Sequence, residues 1–339
     1  MLGLKRLLLM GLVLLLVFVL SGCGSKESEG DKVSPGEGQP VVTQPESPPQ
    51  EEQGELNPLT GEKVTRTGKL VAVMVDNLPA ARPQTGLIDA DVVYEIEAEG
   101  QIARFMALFY GEPPENVGPV RSARPYYMAL AKEWDAYYAH VGGSDDAFAK
   151  VKEWKIRDVD DTRGHPGFWV DNTRKRPNST YLNLDKALSN KPENGSFKDW
   201  QFVDPPGGAP DYRQIRIRYL DNRVKYVFDE GQQAYLRYIF DEPHTDRETK
   251  EQIAVRNVII QYARHRNLND ALKHIDVEVI GEGPAEYFLG GKYMRGTWKK
   301  KDLNAHTQFL AEDGTPVKLV RGNTYIQVVR SPAMVEKDN

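Results

Sequence analysis

The chain has 339 residues with 44 basic and 49 acidic side chains, a formal net charge of −5 and a single cysteine. Two basic residues lie in the first 23, and residues 24–56 hold two basic and eight acidic ones, so residues 57–339 carry a net charge of −1. A nearly neutral folded region lacks the basic field of a nucleic-acid-binding protein. We therefore expect no nucleic-acid partner, and any anion site must be local.

The first residues have the layout of a secretory signal. Two basic residues precede fourteen apolar or small ones at 7–20, a run shorter than the roughly 20 residues that span a membrane. The run ends in LSGC (20–23), which matches the lipobox of bacterial lipoproteins. We expect residues 1–22 to be removed and the Cys23 thiol to carry a lipid, with palmitate among its chains, on the outer face of the cytoplasmic membrane. The alternative is a free thiol behind an uncleaved anchor.

Residues 24–56 contain five prolines and no aromatic residue. Such a composition cannot bury enough apolar surface to offset the entropy of ordering. We predict that residues 23–56 are a lipidated cysteine followed by a disordered tether, which spans roughly 30 Å as a flexible coil.

Residues 57–205 are predicted to form an N-terminal domain of mixed α/β type. Its elements in chain order are a buried strand over 69–77, an alternating strand over 90–100, a hairpin partner over 102–111, a helix over 123–135 with Pro125 in its first turn, a strand over 136–141 and a helix over 142–154 capped by Ser144. In the alternating strand, Asp91, Glu95, Glu97 and Glu99 share one face. The stretch 155–211 is interpreted as a long functional loop and a connector, with a short helix near 183–189.

Residues 206–333 are predicted to form a mainly antiparallel β domain, which makes the fold class α+β. Alternating stretches from residue 212 onwards are separated by LGGK, EDGT and VRGN, which favour hairpin turns. The pattern leaves two arrangements open, a separate domain or one sheet completed together with the first half.

No motif for a zinc protease, a serine hydrolase or a P-loop is present. The stretch DVDDTRG (158–164) begins like a calcium loop, but Arg163 stands where that loop requires glycine, so we interpret it as a solvated acidic turn. We assign no catalytic residue, metal ligand or cofactor, and the sequence favours binding over catalysis.

The polar residues of the first half predict a local anion site. Arg121 and Arg124 lie at the entry to a helix, where they could grip a phosphate or carboxylate, or instead pair with the acidic strand face. Arg104 interrupts an apolar strand, so we expect it to pair with Glu95 or Glu97. The candidate ligand-binding residues are Asp76, Asn77, Arg82, Gln84, Arg121, Ser122, Arg124, His140, Arg163, Trp169, Arg174 and Tyr181. Those of the 163–181 loop suit a sugar or a polyanion, or only pin the loop.

Several stretches together resemble one protein family. They are NPLTGE (57–62), VAVMVDNLPAARPQTGL (71–87), ADVVYEIEAEGQIARFMALF (90–109), VGPVRSARPYYM (117–128), HVGGS (140–144) and GTWKKKDLNAHTQFLAEDGTPVKLVRGNTYIQVV (296–329). These resemble the YerB-like lipoproteins of Gram-positive bacteria. The resemblance implies a membrane-anchored extracytoplasmic protein with an N-terminal and a C-terminal domain of unknown function. Members carry Pro-His-Asn where this chain has Pro177-Asn178-Ser179, which disfavours catalysis by this loop.

Three functional hypotheses follow, in order of preference. The first is a module that binds an anionic cell-envelope ligand or an envelope-assembly protein. The second is a scaffold for cell-wall synthesis, and the third is a hydrolase or phosphotransferase with Asp76 as base or metal ligand.

Overall fold

The computed structural model describes residues 54–99, 102–219 and 222–339. The predicted signal, Cys23 and nearly all of the predicted tether lie outside these residues. The strands of the first half are β1 (Glu55–Leu56), β2 (Lys63–Val64), β3 (Thr67–Val75), β4 (Val92–Glu97), β5 (Ala103–Gly111), β6 (Asn116–Val117), β7 (Tyr137–His140), β8 (Arg157–Asp160), β9 (Phe168–Val170), β10 (Thr180–Asn183) and β11 (Phe202–Val203). Those of the second half are β12 (Gln214–Arg218), β13 (Arg223–Asp229), β14 (Ala234–Ile239), β15 (Glu242–Pro243), β16 (Ala254–Val255), β17 (Asn257–Tyr262), β18 (His265–Asn267), β19 (Ile275–Val277), β20 (Gly281–Leu289), β21 (Lys292–Lys300), β22 (Gln308–Ala311), β23 (Leu319–Val320), β24 (Thr324–Val329) and β25 (Val335–Asp338). The α-helices are α1 (Pro125–Glu133), α2 (Asp145–Glu153) and α3 (Leu184–Leu188).

Ten of the described strands form one sheet that contains both halves of the chain. Their order is β22-β21-β20-β17-β24-β4-β5-β3-β7-β8. Strand β24, near the C-terminus, lies between β17 and β4 and runs parallel to both. The second of the two arrangements left open by the sequence is therefore the observed one, and the described residues fall into one compact unit.

A second sheet covers one face of the first. It has the order β15-β14-β13-β12-β25, with β16 paired to β14, and all its pairs are antiparallel. Isoleucine and tyrosine side chains of β12 and β13 pack against the ten-stranded sheet in one core, while α1 and α2 pack in another. The mixed class is confirmed in its coarse form, but the fold is mostly β.

Strand β3 shows why its sequence is a continuous apolar run. Leu70, Ala72 and Met74 belong to the core on the helical side, whereas Val71 and Val73 belong to the core beneath the second sheet. A strand buried on both faces has no position at which a polar side chain is tolerated without a partner.

The predicted helices are confirmed together with their signals. Pro125 occupies the first turn of α1, where its missing N–H costs nothing. Ser144 caps α2 by accepting from the backbone N–H of Ala147 at 3.2 Å. The hairpin of β4 and β5 is also confirmed, with Glu97 opposite Ala103.

Four local expectations differ from the structure. Glu55–Leu56, predicted as tether, pairs with β2. Strands β8 and β25 were not predicted, because each is short, polar and at a sheet edge. The VRGN stretch does not close a hairpin, since β23 pairs with β11 and β24 with β17 and β4. The DVDDTRG stretch is a solvated turn only in its second half, since residues 162–164 are exposed but Asp160 is fully buried.

Candidate anion-binding site

Asp76 lies directly after the C-terminal end of the buried strand β3. Asp76 is fully buried. Its carboxylate accepts from the backbone N–H of Leu78 at 3.1 Å and from the side-chain amide of Asn178, and it lies 3.3 Å from Nε of Arg121. Both carboxylate oxygens are thus occupied by protein donors.

The loop after β3 is held by side chains that the sequence analysis singled out. The Asn77 amide donates to Glu95 at 3.0 Å, and Arg82 donates to both the side-chain and the backbone oxygen of Asn77, at 3.1 and 2.6 Å. The Gln84 amide donates to the backbone oxygen of Asp76 at 2.8 Å. These four residues are neighbours, but their polar groups largely hold the loop itself.

A chain of buried hydrogen bonds connects this loop to the second sheet. Arg237 in β14 is fully buried and donates to Glu95 at 2.7 Å and to Nδ1 of His244. Burial, together with Arg237 and Arg82, lowers the pKa of His244 well below its usual range, so its ring is neutral. Its Nε2–H then donates to the side-chain oxygen of Gln84 at 2.8 Å.

The sequence analysis missed two members of that chain, Arg237 and His244. Arg237 was detectable, because the period of 2 in AYLRYI places it on the same face as Tyr235 and Ile239, which are buried. His244 lies beyond the strand and gave no such signal.

Three arginines, Arg104, Arg121 and Arg124, lie close together near the entry to α1. Arg104 and Arg124 both donate to Glu99, Arg124 through Nε at 2.8 Å and also through Nη2. Burial opposes ionisation of Glu99, but the two arginines outweigh it and lower its pKa to about 2. Arg124 thus makes the structural ion pair that was the alternative to ligand binding. The expectation that Arg104 pairs with Glu95 or Glu97 is wrong. Arg104 pairs with Glu99, because Glu95 and Glu97 pair with Arg237 and Arg330 instead.

Arg121 differs from the other two arginines. Burial lowers the pKa of its guanidinium; Asp76 opposes this, whereas Arg104 and Arg124 lower the pKa further. Its Nε is buried and makes no hydrogen bond, and 18% of its side chain is exposed. Three guanidinium groups face two carboxylates, Asp76 and Glu99, so the cluster has a net positive charge. Arg121 faces Asp76 through Nε, and its Nη groups donate to none of the described residues.

The remaining predicted residues lie in separate places. The Ser122 backbone oxygen accepts from Arg104 at 3.4 Å. His140 is fully buried and bonds to Asp158 at 2.7 Å, and Arg163 donates to the same carboxylate at 2.9 Å. His140, Asp158 and Arg163 thus form a separate group near the ends of β7 and β8.

The aromatic loop packs onto the loop after β3. Trp169 stacks on Tyr181 with ring centres 5.0 Å apart. Arg174 donates to the backbone oxygens of Ala80 and Pro83 at 2.9 and 2.6 Å. The Tyr181 hydroxyl accepts from Arg247, which the sequence analysis missed, at 2.9 Å. These contacts favour the reading in which the loop is pinned, although 41% of Trp169 stays exposed.

Within the residues described, no helix combines the length and apolarity needed to cross a membrane. That part of the chain also contains no group of three or more His, Cys, Asp or Glu side chains that could hold a metal ion.

Comparisons with known proteins identify the family. Models of the "Protein of unknown function (DUF3048)" N-terminal and C-terminal domains match residues 59–197 and 215–326. The chain is 34% identical over 290 residues to "Putative lipoprotein YerB" of Bacillus subtilis (strain 168), which covers 80% of this chain and 85% of the relative. The chain belongs to the YerB-like (DUF3048) family.

A solved structure of another member of the YerB-like family has the same fold. The crystal structure of YerB from Bacillus subtilis matches with a TM-score of 0.75 and 30% identity, over 84% of this chain and 99% of that chain. The resemblance seen in the sequence is thus confirmed. In the chain described above, both matched domains contribute strands to the ten-stranded sheet.

Proposed function

We propose that this family member is a lipid-anchored extracytoplasmic protein that binds the anionic group of a cell-envelope ligand at Arg121. The signal-like segment, the LSGC stretch ending in Cys23 and the name of the Bacillus relative support the anchor and the location. One observation carries the binding proposal: the partly exposed Arg121 guanidinium faces Asp76 through Nε, its Nη groups donate to none of the described residues, and it lies in a cluster of net positive charge.

The chemistry of the cluster defines the class of ligand. A guanidinium binds carboxylate or phosphate through two parallel N–H donors, and such charge-assisted bonds are stronger than neutral ones. A single negative group would balance the excess charge left by Asp76 and Glu99. Arg104 and Arg124 contribute charge but few free donors, because Glu99 already accepts from both.

The observed contacts of Asp76 do not favour the hydrolase hypothesis. A general base needs a lone pair within reach of the proton that it removes. The Asp76 carboxylate is buried, and Leu78 and Asn178 already donate to its oxygens. We therefore propose binding without turnover.

The test measures thermal unfolding of residues 54–339 with inorganic phosphate, acetate and glucose as probes. Arg121→Gln removes the charge and the two Nη donors while keeping a shorter polar side chain. Arg163→Gln is the matched control, since Arg163 is exposed and ion-paired in another group. A probe present at 100 times its dissociation constant stabilises the fold by about 2.7 kcal/mol.

We expect this stabilisation with an anion in the wild type and in Arg163→Gln, but not in Arg121→Gln. Equal stabilisation of Arg121→Gln and wild type would refute the assignment to Arg121. No stabilisation by either anion would favour the scaffold hypothesis instead.

A further inference from the structure

The tip of the hairpin formed by β9 and β10, residues 169–177, combines exposed apolar side chains with exposed basic ones. Trp169 and Val170, the last two residues of β9, are 41% and 45% exposed. The indole N–H of Trp169 donates to Oδ1 of Asn116 at 3.0 Å, so the one polar atom of this side chain already has a partner. What Trp169 presents to solvent is therefore mainly its apolar ring.

The two apolar side chains lie on opposite faces of the hairpin, because successive residues of a strand alternate. Trp169 stacks on Tyr181, its cross-strand neighbour. Val170 stands opposite Thr180 and points the other way. Strand β9 is also the outer strand of a three-stranded sheet and has no described strand on its other side. A tip with apolar groups on both faces is suited to enter a surface end-on rather than to lie flat against one.

The same loop carries a surplus of positive charge. Residues 169–177 contain one acidic side chain and three consecutive basic ones, namely Asp171 and then Arg174, Lys175 and Arg176. The acidic member is already paired with Arg247, which lies outside the loop. Lys175 and Arg176 are exposed and make no ion pair with any residue that the structure describes. Their charges are therefore available to a partner.

Contacts with the rest of the protein hold the tip in place. Arg174 donates to two backbone oxygens of the loop after β3. Arg247 donates to the Thr173 hydroxyl at 3.1 Å, and the side-chain amide of Asn178 donates to the buried carboxylate of Asp76. Because the loop is already ordered, little conformational entropy is lost when it binds a partner.

We infer that this hairpin tip docks the folded region on an anionic phospholipid surface. Lysine and arginine near such a surface are attracted to its headgroups, and tryptophan is enriched where headgroups meet acyl chains. A soluble polyanion would meet the charges of Lys175 and Arg176 but would leave Trp169 and Val170 in water, so the apolar residues favour a membrane. The inference goes beyond the proposed anion site, and it relies on the proposed lipid anchor only to place a membrane within reach.

Sedimentation with lipid vesicles measures this binding directly. The protein is the fragment of residues 54–339, which contains the compact unit described above and lacks Cys23, so a lipid anchor cannot contribute. The vesicles contain either phosphatidylcholine alone or equal parts of phosphatidylcholine and phosphatidylglycerol. We expect the wild type to bind the anionic vesicles and not the neutral ones.

Lys175→Gln combined with Arg176→Gln removes two charges that have no partner within the fold to lose. We expect this double variant to bind the anionic vesicles about 30-fold more weakly, the effect of two cations near an anionic surface. Lys152→Gln combined with Lys155→Gln is the matched control. It makes the same change in net charge at two exposed lysines in and after α2, and it should bind like the wild type.

Trp169→Leu tests whether the tip itself enters the lipid. Leucine keeps an apolar side chain but removes the fluorophore. With brominated phosphatidylglycerol in the vesicles, tryptophan fluorescence of the wild type should be quenched on binding. Trp169→Leu should still sediment with the vesicles and should lose most of that quenching.

Three results would overturn the inference. The first is a wild type that does not sediment with anionic vesicles; if that protein binds polyphosphate instead, the basic residues serve a soluble polyanion. The second is equal binding by the two double variants, since the charges at the tip would then have no special role. The third is quenching that persists in Trp169→Leu, because another surface would then face the lipid.

Discussion

Replacing Arg237 by methionine should destabilise the fold by about 3–5 kcal/mol, the usual cost of removing one partner of a buried ion pair. The Arg237 guanidinium is fully buried and donates to Glu95 at 2.7 Å and to the Tyr226 hydroxyl at 3.3 Å. Methionine keeps an unbranched apolar side chain, but it leaves the Glu95 carboxylate in the core without its arginine partner, while the amide of Asn77 still donates to it. The loss comes from this stranded charge rather than from a cavity.

Urea unfolding measures the effect. With a slope of about 3 kcal/mol per M for a chain of this size, the expected loss lowers the unfolding midpoint by about 1–2 M. Glu95→Gln and the double variant complete a double-mutant cycle. Because the double variant has no stranded charge, it should be more stable than the sum of the single losses predicts, by about 2 kcal/mol. A loss below about 1 kcal/mol in Arg237→Met, or additive losses in the cycle, would refute the role of this pair.

The fold should lose stability in acid. Burial opposes ionisation of Glu133, but Lys198 and Lys300 outweigh it and lower its pKa to about 2, as the arginines do for Glu99. A carboxyl group with a lowered pKa stabilises the fold above its unfolded value near 4.5 and loses this contribution as the pH falls towards 2. Urea unfolding across that range should show a decline that is shallower in Glu133→Gln; an unchanged profile in this variant would contradict the assignment. In the full chain, Cys23→Ser should abolish labelling by palmitate and release the protein from the membrane fraction, and an unlabelled wild type would exclude the lipid anchor.

Local signals predicted the helices and the first hairpin well. Pro125 and Ser144 mark the starts of α1 and α2 through backbone geometry and capping, which depend on neighbouring residues only. Strand β25 could not be found in this way, since VEKD has little apolar character and forms a strand only by pairing with β12. The parallel pairing of β24 with β4 joins residues more than two hundred positions apart, which no local pattern encodes.

The candidate site was predictable in part for the same reason. The alternation in β4 is as predicted, but the acidic face is buried because Arg237 and Arg330, distant in sequence, neutralise Glu95 and Glu97. The sequence also could not distinguish Arg121 from Arg124. That difference depends on Glu99, which accepts from Arg124 and leaves Arg121 with Asp76 alone.

The most direct test of the proposed function observes the Arg121 guanidinium itself. Arginine side-chain NMR of residues 54–339 would follow each Nε–H during a titration with inorganic phosphate, with the Arg121 resonance assigned by its absence in Arg121→Gln. We predict a saturable shift of the Arg121 resonance and none for Arg163, which lies in a different group. Shifts confined to exposed arginines, or an Arg121 resonance that does not move, would contradict the proposal that Arg121 binds the anionic group.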